Sequence, residues 1–458
     1  MLYEQLFRHV LFPSYESIVA RRGTAAYVRE YDRGQWLTPD ALKSLQLEKL
    51  NRLLAHCWQQ VPFLRRYWSD HGLHQEPLPD VAELARYPVL TKQLISSDYE
   101  GMTALNWRGR TLSKTTGGST GDPFRFEYTM ESYARRTAVM WRGYGWAGAG
   151  LGVRAAYLWG SGPPQPGWPG LKYRLYHRAF NRRYFDAFGL RDDNIDRYID
   201  EISAYRPHAL VGYVAPVVLV ARRMLQTGRR LGGLRGIVTG AEALYEAERR
   251  DIEAAFGCQA FNTYGSREVM LMAAECPEHH GLHVSADHLL IETLDDRGQP
   301  VVGVSGDIAV TDLHNDGMPM VRYLNGDRAT RTTRLCNCGR GLPLLDSVDG
   351  RLLDMIRTPD GHQLPGEMFV YIMLEWPEVK KWQVVQTALD CVQFRLVVDE
   401  PWPAARCDLL RSRVHAKSGP GLRVEVVEVA EIANAASGKR RLTVSLEHVA
   451  SAAQPGAR

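Results

Sequence analysis

A short loop of hydroxyl and glycine residues is the part of this sequence whose composition most directly suggests chemistry. The stretch SKTTGGSTGDPFRF covers residues 113–126. Its glycines allow close approach of the backbone, and its hydroxyl and N–H groups can hold phosphate oxygens. It is not a Walker loop, because Asp122 and Pro123 follow Gly121 where that motif has Lys and then Ser or Thr. Taken alone, a Ser/Thr/Gly-rich run is more often an ordinary flexible loop.

Four later segments carry residues suited to nucleotide chemistry. They are NTYGSREVM (262–270), YLNGDRA (323–329), DGRLLDMI (349–356) and NAASGKRRL (434–442). Each has a structural alternative. Tyr264 could be a buried aromatic at the end of a strand, and Glu268 an acid in the first turn of a helix. Asp327 could be a turn residue, and Lys439 part of a solvated charge run.

In this order, the five motifs resemble the adenylate-forming ligase superfamily of acyl-CoA synthetases and adenylation domains. The resemblance spans roughly residues 40–445. It is strongest to the branch of phenylacetate-CoA ligase and of ligase-like proteins associated with capsular polysaccharide synthesis. The resemblance implies ATP-phosphate contacts from the loop residues Thr115, Thr116, Gly117, Gly118, Ser119, Thr120 and Gly121.

The same resemblance implies roles for the other four motifs. Tyr264, with Gly265, would lie against adenine, and Glu268 would hold Mg²⁺. Asp327 and Arg351 would bind the ribose, since two carboxylate oxygens suit a vicinal diol. The implied catalytic residues are Lys439, Glu268 and Thr116. The implied cofactors are ATP, Mg²⁺ and coenzyme A.

These residue types fit the reaction that the resemblance implies. A carboxylate is already ionised at neutral pH, so it needs no enzyme base to attack the α-phosphorus of ATP. Two anions must nevertheless approach each other, and a cation such as Lys439 together with Mg²⁺ on Glu268 would offset their charge. The sequence departs from the common family pattern at Phe124, Arg267 and Leu353. Leu353 replaces the usual acidic hinge residue, which puts in question how the small C-terminal domain rotates.

Two cysteine- and histidine-containing segments predict a structural zinc site. ECPEHHGLHVSADH (275–288) and the CNCG stretch (336–339) supply the candidate ligands. Three sulfurs and one nitrogen form a set that zinc favours in closed sites. We favour Cys276, His283, Cys336 and Cys338, with His279 and His280 as the alternative nitrogen donors. The alternative is that the thiols are reduced and bind no metal.

Aromatic residues beside the expected phosphate loop suggest the kind of acid that is activated. The family's acyl pocket corresponds here to Trp141, Tyr144, Trp159, Tyr213, Gly240 and Glu242. Aromatic walls suit a flat or apolar carboxylic acid, although the same residues also suit an ordinary core. We therefore expect an aryl or apolar acid as substrate.

Alternating strand and helix patterns predict an α/β fold. Short apolar runs such as HALVGYV and GLRGIVTG alternate with the helical patterns APVVLVARRMLQTG and EALYEAERRDIEAAFG. Residues 36–95 are predicted to be helical, and the region after residue 284 to form β-hairpins. We expect a large N-terminal domain of mixed sheets with packed helices and a β-rich subdomain (1–350). A small, mobile α+β C-terminal domain (351–458) would follow.

Composition excludes several classes of function. The 56 basic and 52 acidic residues give a net charge of +4, which is too balanced to indicate nucleic-acid binding. No apolar run is long enough for membrane insertion, and no signal peptide is evident, so we expect a cytoplasmic protein. The expected partners are a small carboxylic acid, ATP and an acyl acceptor. The choice between monomer and homodimer stays open.

Three functions remain compatible with the sequence. The first is an acid–thiol ligase that forms an acyl-CoA. The second transfers the activated acyl group to an amine or a carrier protein in a polysaccharide or natural-product pathway. The third is a zinc-stabilised homologue without catalysis, which the joint presence of Glu268, Asp327, Arg351 and Lys439 disfavours.

Overall fold

The chain forms two compact units in a computed structural model. The described residues are 2–115, 124–160, 168–187, 190, 193–351, 356–360, 363–364, 369, 372–373, 375–376, 378–432 and 442–446. The larger unit comprises Met1–Lys114, Phe126–Asn325 and Ala329–Val348. The smaller unit comprises Thr115–Arg125, Gly326–Arg328 and Asp349–Arg458. The mobility expected for the C-terminal domain stays a prediction.

Helices surround the sheet of the larger unit. The first helical segment consists of α1 (Leu2–Leu6), a π-helical turn (Phe7–Leu11), α2 (Phe12–Ser14) and a second π-helical turn (Tyr15–Val19). The other helices are α3 (Thr24–Gly34), α4 (Pro39–Gln60), α5 (Pro62–Asp70), α6 (Lys92–Ser97), α7 (Tyr99–Met102), α8 (Met130–Trp146), α9 (Trp168–Ala179), α10 (Ile195–Tyr205), α11 (Val214–Thr227) and α12 (Glu246–Phe256). Short 3₁₀ turns lie at Val81–Arg86 and Leu105–Trp107. Within the described part of the chain, no helix has the length and apolar character that crossing a membrane requires.

The prediction that residues 36–95 are helical is only partly correct. Thr38 caps α4 by accepting a hydrogen bond from the N–H of Ala41 at 3.3 Å, and Pro39 follows at the first helical position. After α5 the chain leaves the helix, since Gly72 has a φ of +74°. Prolines at 77, 79 and 88 then disfavour helix.

One sheet of eleven strands organises the larger unit. Its strands are β3 (Ala155–Leu158), β4 (Arg182–Phe185), β5 (Ala209–Tyr213), β6 (Gly236–Gly240), β7 (Ala260–Ser266), β8 (Met270–Glu275), β9 (Leu282–Val284), β10 (Leu289–Leu294), β11 (Ser305–Asp312), β12 (Tyr323–Thr332) and β13 (Leu344–Arg351). They are arranged in the order β10-β11-β12-β13-β9-β8-β7-β6-β5-β3-β4. A separate pair is formed by β1 (Leu112–Thr115) and β2 (Arg125–Tyr128). The predicted α/β class and the hairpin after residue 284 are confirmed.

Strand β7 joins two differently built halves of this sheet. It is parallel to β6 and antiparallel to β8. On the β6 side, β5, β3 and β4 continue in parallel. On the β8 side, β9 and β13 continue antiparallel. The carboxyl ends of the parallel strands therefore meet at one edge, where open α/β sheets bind ligands.

Apolar residues cover both faces of the parallel half. One face packs α10, α11 and α12 around residues such as Leu210, Val217 and Ile252. The other packs α3 and α8 around Tyr31, Val139 and others. Burial on both faces explains why β5 and β6 appear in the sequence as continuous apolar runs rather than alternating ones.

The smaller unit has its own α+β core. It contains β14 (Ile356–Arg357), β15 (Gln363–Leu364), β16 (Lys381–Ala388), β17 (Cys391–Val397), α13 (Ala404–Ser418), β18 (Arg423–Glu428) and β19 (Thr443–Val444). The four-stranded sheet has the order β18-β17-β16-β19. Phe369, Phe394 and Trp402 belong to its buried core.

Candidate active site and metal cluster

The end of β7 is shaped by a bulge at Gly265. The register between β7 and β8 shifts between Tyr264 and Gly265. A Cβ atom at Gly265 would lie 2.3 Å from the carbonyl oxygen of Met270, so only glycine allows this approach. The chain then turns through Arg267 and Glu268 before β8 begins. Glu268 therefore lies in a tight turn between strands, not in the first turn of a helix.

The carboxylate of Glu268 is buried, with 3% of the residue exposed. Tyr323 Oη donates a hydrogen bond to Oε1 at 3.0 Å, and Lys92 Nζ lies 3.4 Å from the same oxygen. Among the described residues, these contacts converge on Oε1. A carboxylate held through one oxygen keeps its second oxygen for a divalent cation, and hard oxygen donors are what Mg²⁺ prefers. The donor therefore suits the Mg²⁺ role predicted for Glu268.

A buried ion pair fixes the backbone of this turn. Arg136 Nη1 donates to the carbonyl oxygen of Glu268 at 2.5 Å. Its Nη2 donates to Asp312 Oδ2 at 2.6 Å. Both side chains are almost fully buried, and each would leave an uncompensated charge if the other were lost. Helix α8 and strand β11 are thus tied to the turn that carries Glu268.

Tyr264 is a buried residue with a hydrogen-bonded hydroxyl. Asn325 Nδ2 donates to its Oη at 2.7 Å. Asn325 lies on β12, as does the half-buried Asp327. Asp327 was expected in a turn, yet it lies within the strand, beside Gly326 with a φ of +85°. Arg351 is the last residue of β13.

The predicted phosphate loop is described only at its edges. Thr115 ends β1 and is exposed. Thr116, Gly117, Gly118, Ser119, Thr120 and Gly121, like Lys439 and Leu353, lie outside the described residues.

Lys114, directly before the loop, lies 5.0 Å from the ring centre of Tyr128. Burial lowers the pKa of Lys114, and the nearby Arg136 and Arg267 lower it further. Positive charge is therefore concentrated just before the loop.

Two aromatic rings meet at the carboxyl edge of the parallel strands. Trp159 directly follows β3, and Tyr213 is the last residue of β5. The centres of their rings lie 4.3 Å apart. Gly240 ends β6, where an added Cβ would lie 2.6 Å from Thr263 Oγ1 and 3.7 Å from Trp159. Burial raises the pKa of Tyr213, and the carboxylate of Glu242 raises it further. Four of the six predicted pocket residues thus converge on one edge of the sheet.

The other two predicted pocket residues lie on α8. Trp141 packs with Phe7, Phe12 and Phe180, away from this edge. Tyr144 lies in the core cluster against which Trp159 packs. Burial raises the pKa of Tyr144, and its hydroxyl stays protonated. The structure therefore brings Tyr144 near the aromatic edge and does not bring Trp141 there.

The four predicted zinc ligands form one compact cluster. Their donor atoms all lie within 4.8 Å of one another. Cys276 Sγ is 3.6 Å from Cys336 Sγ, and Cys338 Sγ is 3.3 Å from His283 Nε2. Tetrahedral zinc with bonds of about 2.3 Å to sulfur separates its ligand atoms by about 3.5–3.8 Å. The donor set and these two separations therefore fit a Zn²⁺ site.

The structure also decides between the candidate histidines. His283 Nδ1 lies 3.3 Å from the carbonyl oxygen of Leu342, an arrangement that leaves Nε2 for a metal. Burial lowers the pKa of His283 to about 4, so its ring is neutral near pH 7. His279 instead contacts Glu275 and Arg249, each at 3.2 Å, while His280 is exposed.

Comparison with known proteins agrees with this geometry. No protein-family model matches the chain. A phenylacetate-coenzyme A ligase of Thermus thermophilus is 27% identical over 382 residues, covering 80% of this chain and 83% of the relative. Protein CapK of Staphylococcus aureus is 24% identical over 248 residues, or 54% of each chain. The chain is therefore similar to phenylacetate-coenzyme A ligases over most of its length.

A solved structure supports the fold described above. A 2-hydroxyisobutyryl-CoA ligase in its postadenylation state, in complex with R3-HIB-AMP, has a TM-score of 0.72 to this chain. The two are 17% identical, and the match covers 92% of this chain and 93% of the other. At this identity the likeness shows a shared fold.

Sequence reasoning missed several residues around Glu268. Lys92, Arg136 and Tyr323 contact it from segments distant in the chain. Neither periodicity nor a local motif marks such contacts. Asn325 lies within the quoted YLNGDRA segment, so its amide could have been considered beside Asp327.

Proposed function

We propose that this chain is an AMP-forming acid–thiol ligase. It would activate a carboxylic acid with ATP through an acyl-adenylate, release pyrophosphate, and pass the acyl group to coenzyme A. Similarity to phenylacetate-coenzyme A ligases over most of the chain supports this proposal. The observation that carries it is the placement of Glu268 and Tyr264 at the end of β7, next to the aromatic edge of the parallel strands.

The first half-reaction joins two anions. The carboxylate oxygen attacks the α-phosphorus, and the bond to the bridging oxygen of pyrophosphate breaks. Lys439 would offset charge on the carboxylate and the α-phosphate, while Thr116 and its loop neighbours would hold the phosphates. Bound Mg²⁺ would supply charge neutralisation, held by Glu268, whose position Tyr323 and Lys92 maintain.

Separate residues would bind the nucleoside. Tyr264 would lie against adenine, oriented by the hydrogen bond from Asn325 at 2.7 Å. Asp327 and Arg351 would bind the ribose hydroxyls. In the second half-reaction the thiolate sulfur of coenzyme A attacks the acyl carbon, and AMP leaves with the electrons of the broken C–O bond.

The aromatic edge supports an aryl or apolar acid as substrate. Trp159 and Tyr213 present two apolar rings tilted 35° to each other, and Gly240 lets the backbone pack closely against Thr263 beside them. Glu242 near Tyr213 adds one polar group for orientation.

We propose a structural role for zinc in the cluster of Cys276, His283, Cys336 and Cys338. Four protein ligands leave no open position for water, so the metal would stabilise the fold and not take part in the reaction. Retention of three metal-binding thiols also favours a reducing, cytoplasmic location.

Pyrophosphate release tests the proposed function. We would measure release from Mg-ATP with a panel of aryl and aliphatic acids, with and without coenzyme A, using Lys439→Ala as the blank. We expect acid-dependent release that turns over only with coenzyme A. Turnover without coenzyme A but with an amine would indicate the alternative acceptor. A folded, zinc-loaded protein that binds no ATP would overturn the proposal.

A further inference from the structure

Helix α9 exposes a row of apolar side chains that the proposed ligase reaction does not use. Trp168 is 76% exposed and Leu175 is 57% exposed, and Leu171 is also exposed. Spacings of four and three residues place all three on one face of the helix. Single exposed leucines are common, but a row that includes a tryptophan indicates a binding surface.

The N-terminal helical segment, Leu2–Val19, exposes a second set of apolar residues. Leu2 is 90% exposed and Ile18 is 74% exposed, with Leu6 and Val10 also exposed. On its other side, the segment buries aromatic residues against the protein. A helix that is apolar on both sides is stable when both sides are covered.

These two elements contact each other and form one region of the surface. Tyr3 Oη donates to the carbonyl oxygen of Ala179, at the end of α9, at 2.6 Å. The rings of Phe7 and Phe180 lie 5.0 Å apart. We call the exposed residues of Leu2–Val19 and of α9 the helical face.

The charge of the helical face is positive. The sequence of α9, WPGLKYRLYHRA, contains no acid. Its exposed Lys172, Arg174 and Arg178 form no ion pair with any described residue. The two acids of the N-terminal segment are engaged, because Glu4 lies 3.3 Å from Arg235 and the buried Glu16 lies 2.7 Å from Arg22.

We propose that the helical face binds the surface of an anionic lipid bilayer. Apolar side chains and a tryptophan flanked by Lys and Arg are what an interfacial helix needs. A second copy of the chain fits less well, since a two-fold interface would bring the same basic residues together. The helices lie on the surface and need not cross the bilayer.

Vesicle sedimentation with the full-length chain tests this inference. We expect the protein to pellet with vesicles of phosphatidylcholine and phosphatidylglycerol, and much less with phosphatidylcholine alone. Each charge removed in Lys172→Gln and Arg178→Gln should lower the partition coefficient about fivefold. Added salt should weaken binding of the wild type. The double substitution Leu171→Ser and Leu175→Ser should lower the partition coefficient without changing the melting temperature.

Matched controls lie elsewhere on the larger unit. Leu225→Ser and Arg65→Gln alter an exposed leucine and an exposed arginine outside the helical face, and should bind as the wild type does. Hydrogen exchange should show vesicle-dependent protection of residues 168–179. Equal pelleting of all variants overturns the inference. It is also overturned if the protein is a dimer that does not bind vesicles and that Leu175→Ser dissociates. Ligase activity on a soluble acid is independent of either result.

Discussion

The hydroxyl of Tyr323 donates a hydrogen bond to the carboxylate of Glu268 across 3.0 Å, from β12 to the turn after β7. This contact connects a strand of the antiparallel half of the sheet with the acid proposed to hold Mg²⁺. It places Glu268 by a long-range contact that a local motif does not encode.

Replacing either partner should change the Mg²⁺ dependence of pyrophosphate release. Glu268→Gln keeps the size of the side chain and removes its charge, so the rate should fall by about 10²-fold or more. Tyr323→Phe removes one hydrogen bond worth about 1 kcal/mol, and should raise the half-saturating Mg²⁺ concentration about fivefold. Titration with Mg²⁺ at saturating ATP measures both effects. An unchanged Mg²⁺ dependence in Glu268→Gln would remove this residue from the proposed role.

Lys439→Ala should separate the two half-reactions. The negative carboxylate and α-phosphate are brought together only during adenylation, so that step should slow by about 10²–10³-fold. Transfer from a preformed acyl-adenylate to coenzyme A should be largely retained. Arg441→Ala, two residues along the same charge run, is the control. Equal losses in both steps would contradict the assignment.

Cys336→Ser should lower both zinc content and melting temperature. The substitution removes one of four ligands from a compact cluster, and the binding energy of a structural metal contributes to folding. Metal analysis of the purified protein and thermal unfolding with and without chelator measure the effect. Cys258→Ser, at a half-buried cysteine outside the cluster, should leave both unchanged. Full zinc content in Cys336→Ser would refute the proposed site.

Trp159→Ala should raise KM for aryl acids more than for short aliphatic acids. The substitution removes the ring that packs 4.3 Å from Tyr213, while the ATP-binding residues are untouched. An effect of about tenfold on KM corresponds to about 1.4 kcal/mol of lost contact. Tyr213→Phe retains the ring and should behave almost as the wild type. If KM for ATP rises instead, the aromatic edge does not bind the acid.

Stability should fall as the pH falls below about 6.5, because buried histidines must gain protons when the chain unfolds. The rings of His288 and His314 stack 5.4 Å apart. Burial lowers the pKa of both, and nearby cations including Lys49 lower it further. The unfolded state therefore binds more protons than the folded state below the ordinary histidine pKa. Each such histidine adds a slope of up to about 1.4 kcal/mol per pH unit to the free energy of unfolding.

His314→Phe tests this slope. The variant keeps a ring against His288 and removes one titrating group. Urea unfolding between pH 7 and pH 5 should give a shallower loss of stability than in the wild type. His74→Phe, at an exposed histidine, should retain the wild-type slope. A His314→Phe protein with an unchanged slope would show that this ring does not control acid stability.

The sequence predicted elements whose pattern is local and missed contacts that join distant segments. The apolar runs of β5 and β6 and the helical pattern of α12 are visible in the sequence because burial selects each residue of the element. The metal cluster was predicted since cysteine and histidine are themselves the signal. The Arg136–Asp312 pair was missed, because its two residues lie in segments with no shared pattern. Trp141 was assigned to the pocket through the resemblance to the ligase family, yet packing against Phe7 and Phe180 holds it in the core.

Strand β7, which pairs with β6 in parallel and with β8 in antiparallel, separates two sets of proposed functional residues along the sheet. Strands on one side contribute the residues proposed to recognise the acid, while strands on the other side anchor the metal cluster and the contacts to Glu268. Because the strands of the two sets lie on opposite sides of β7, substitutions at the acid-binding edge should leave the contacts of Glu268 intact. A lineage with this architecture can therefore acquire a new substrate by drift in one half while inheriting its chemistry unchanged through the other.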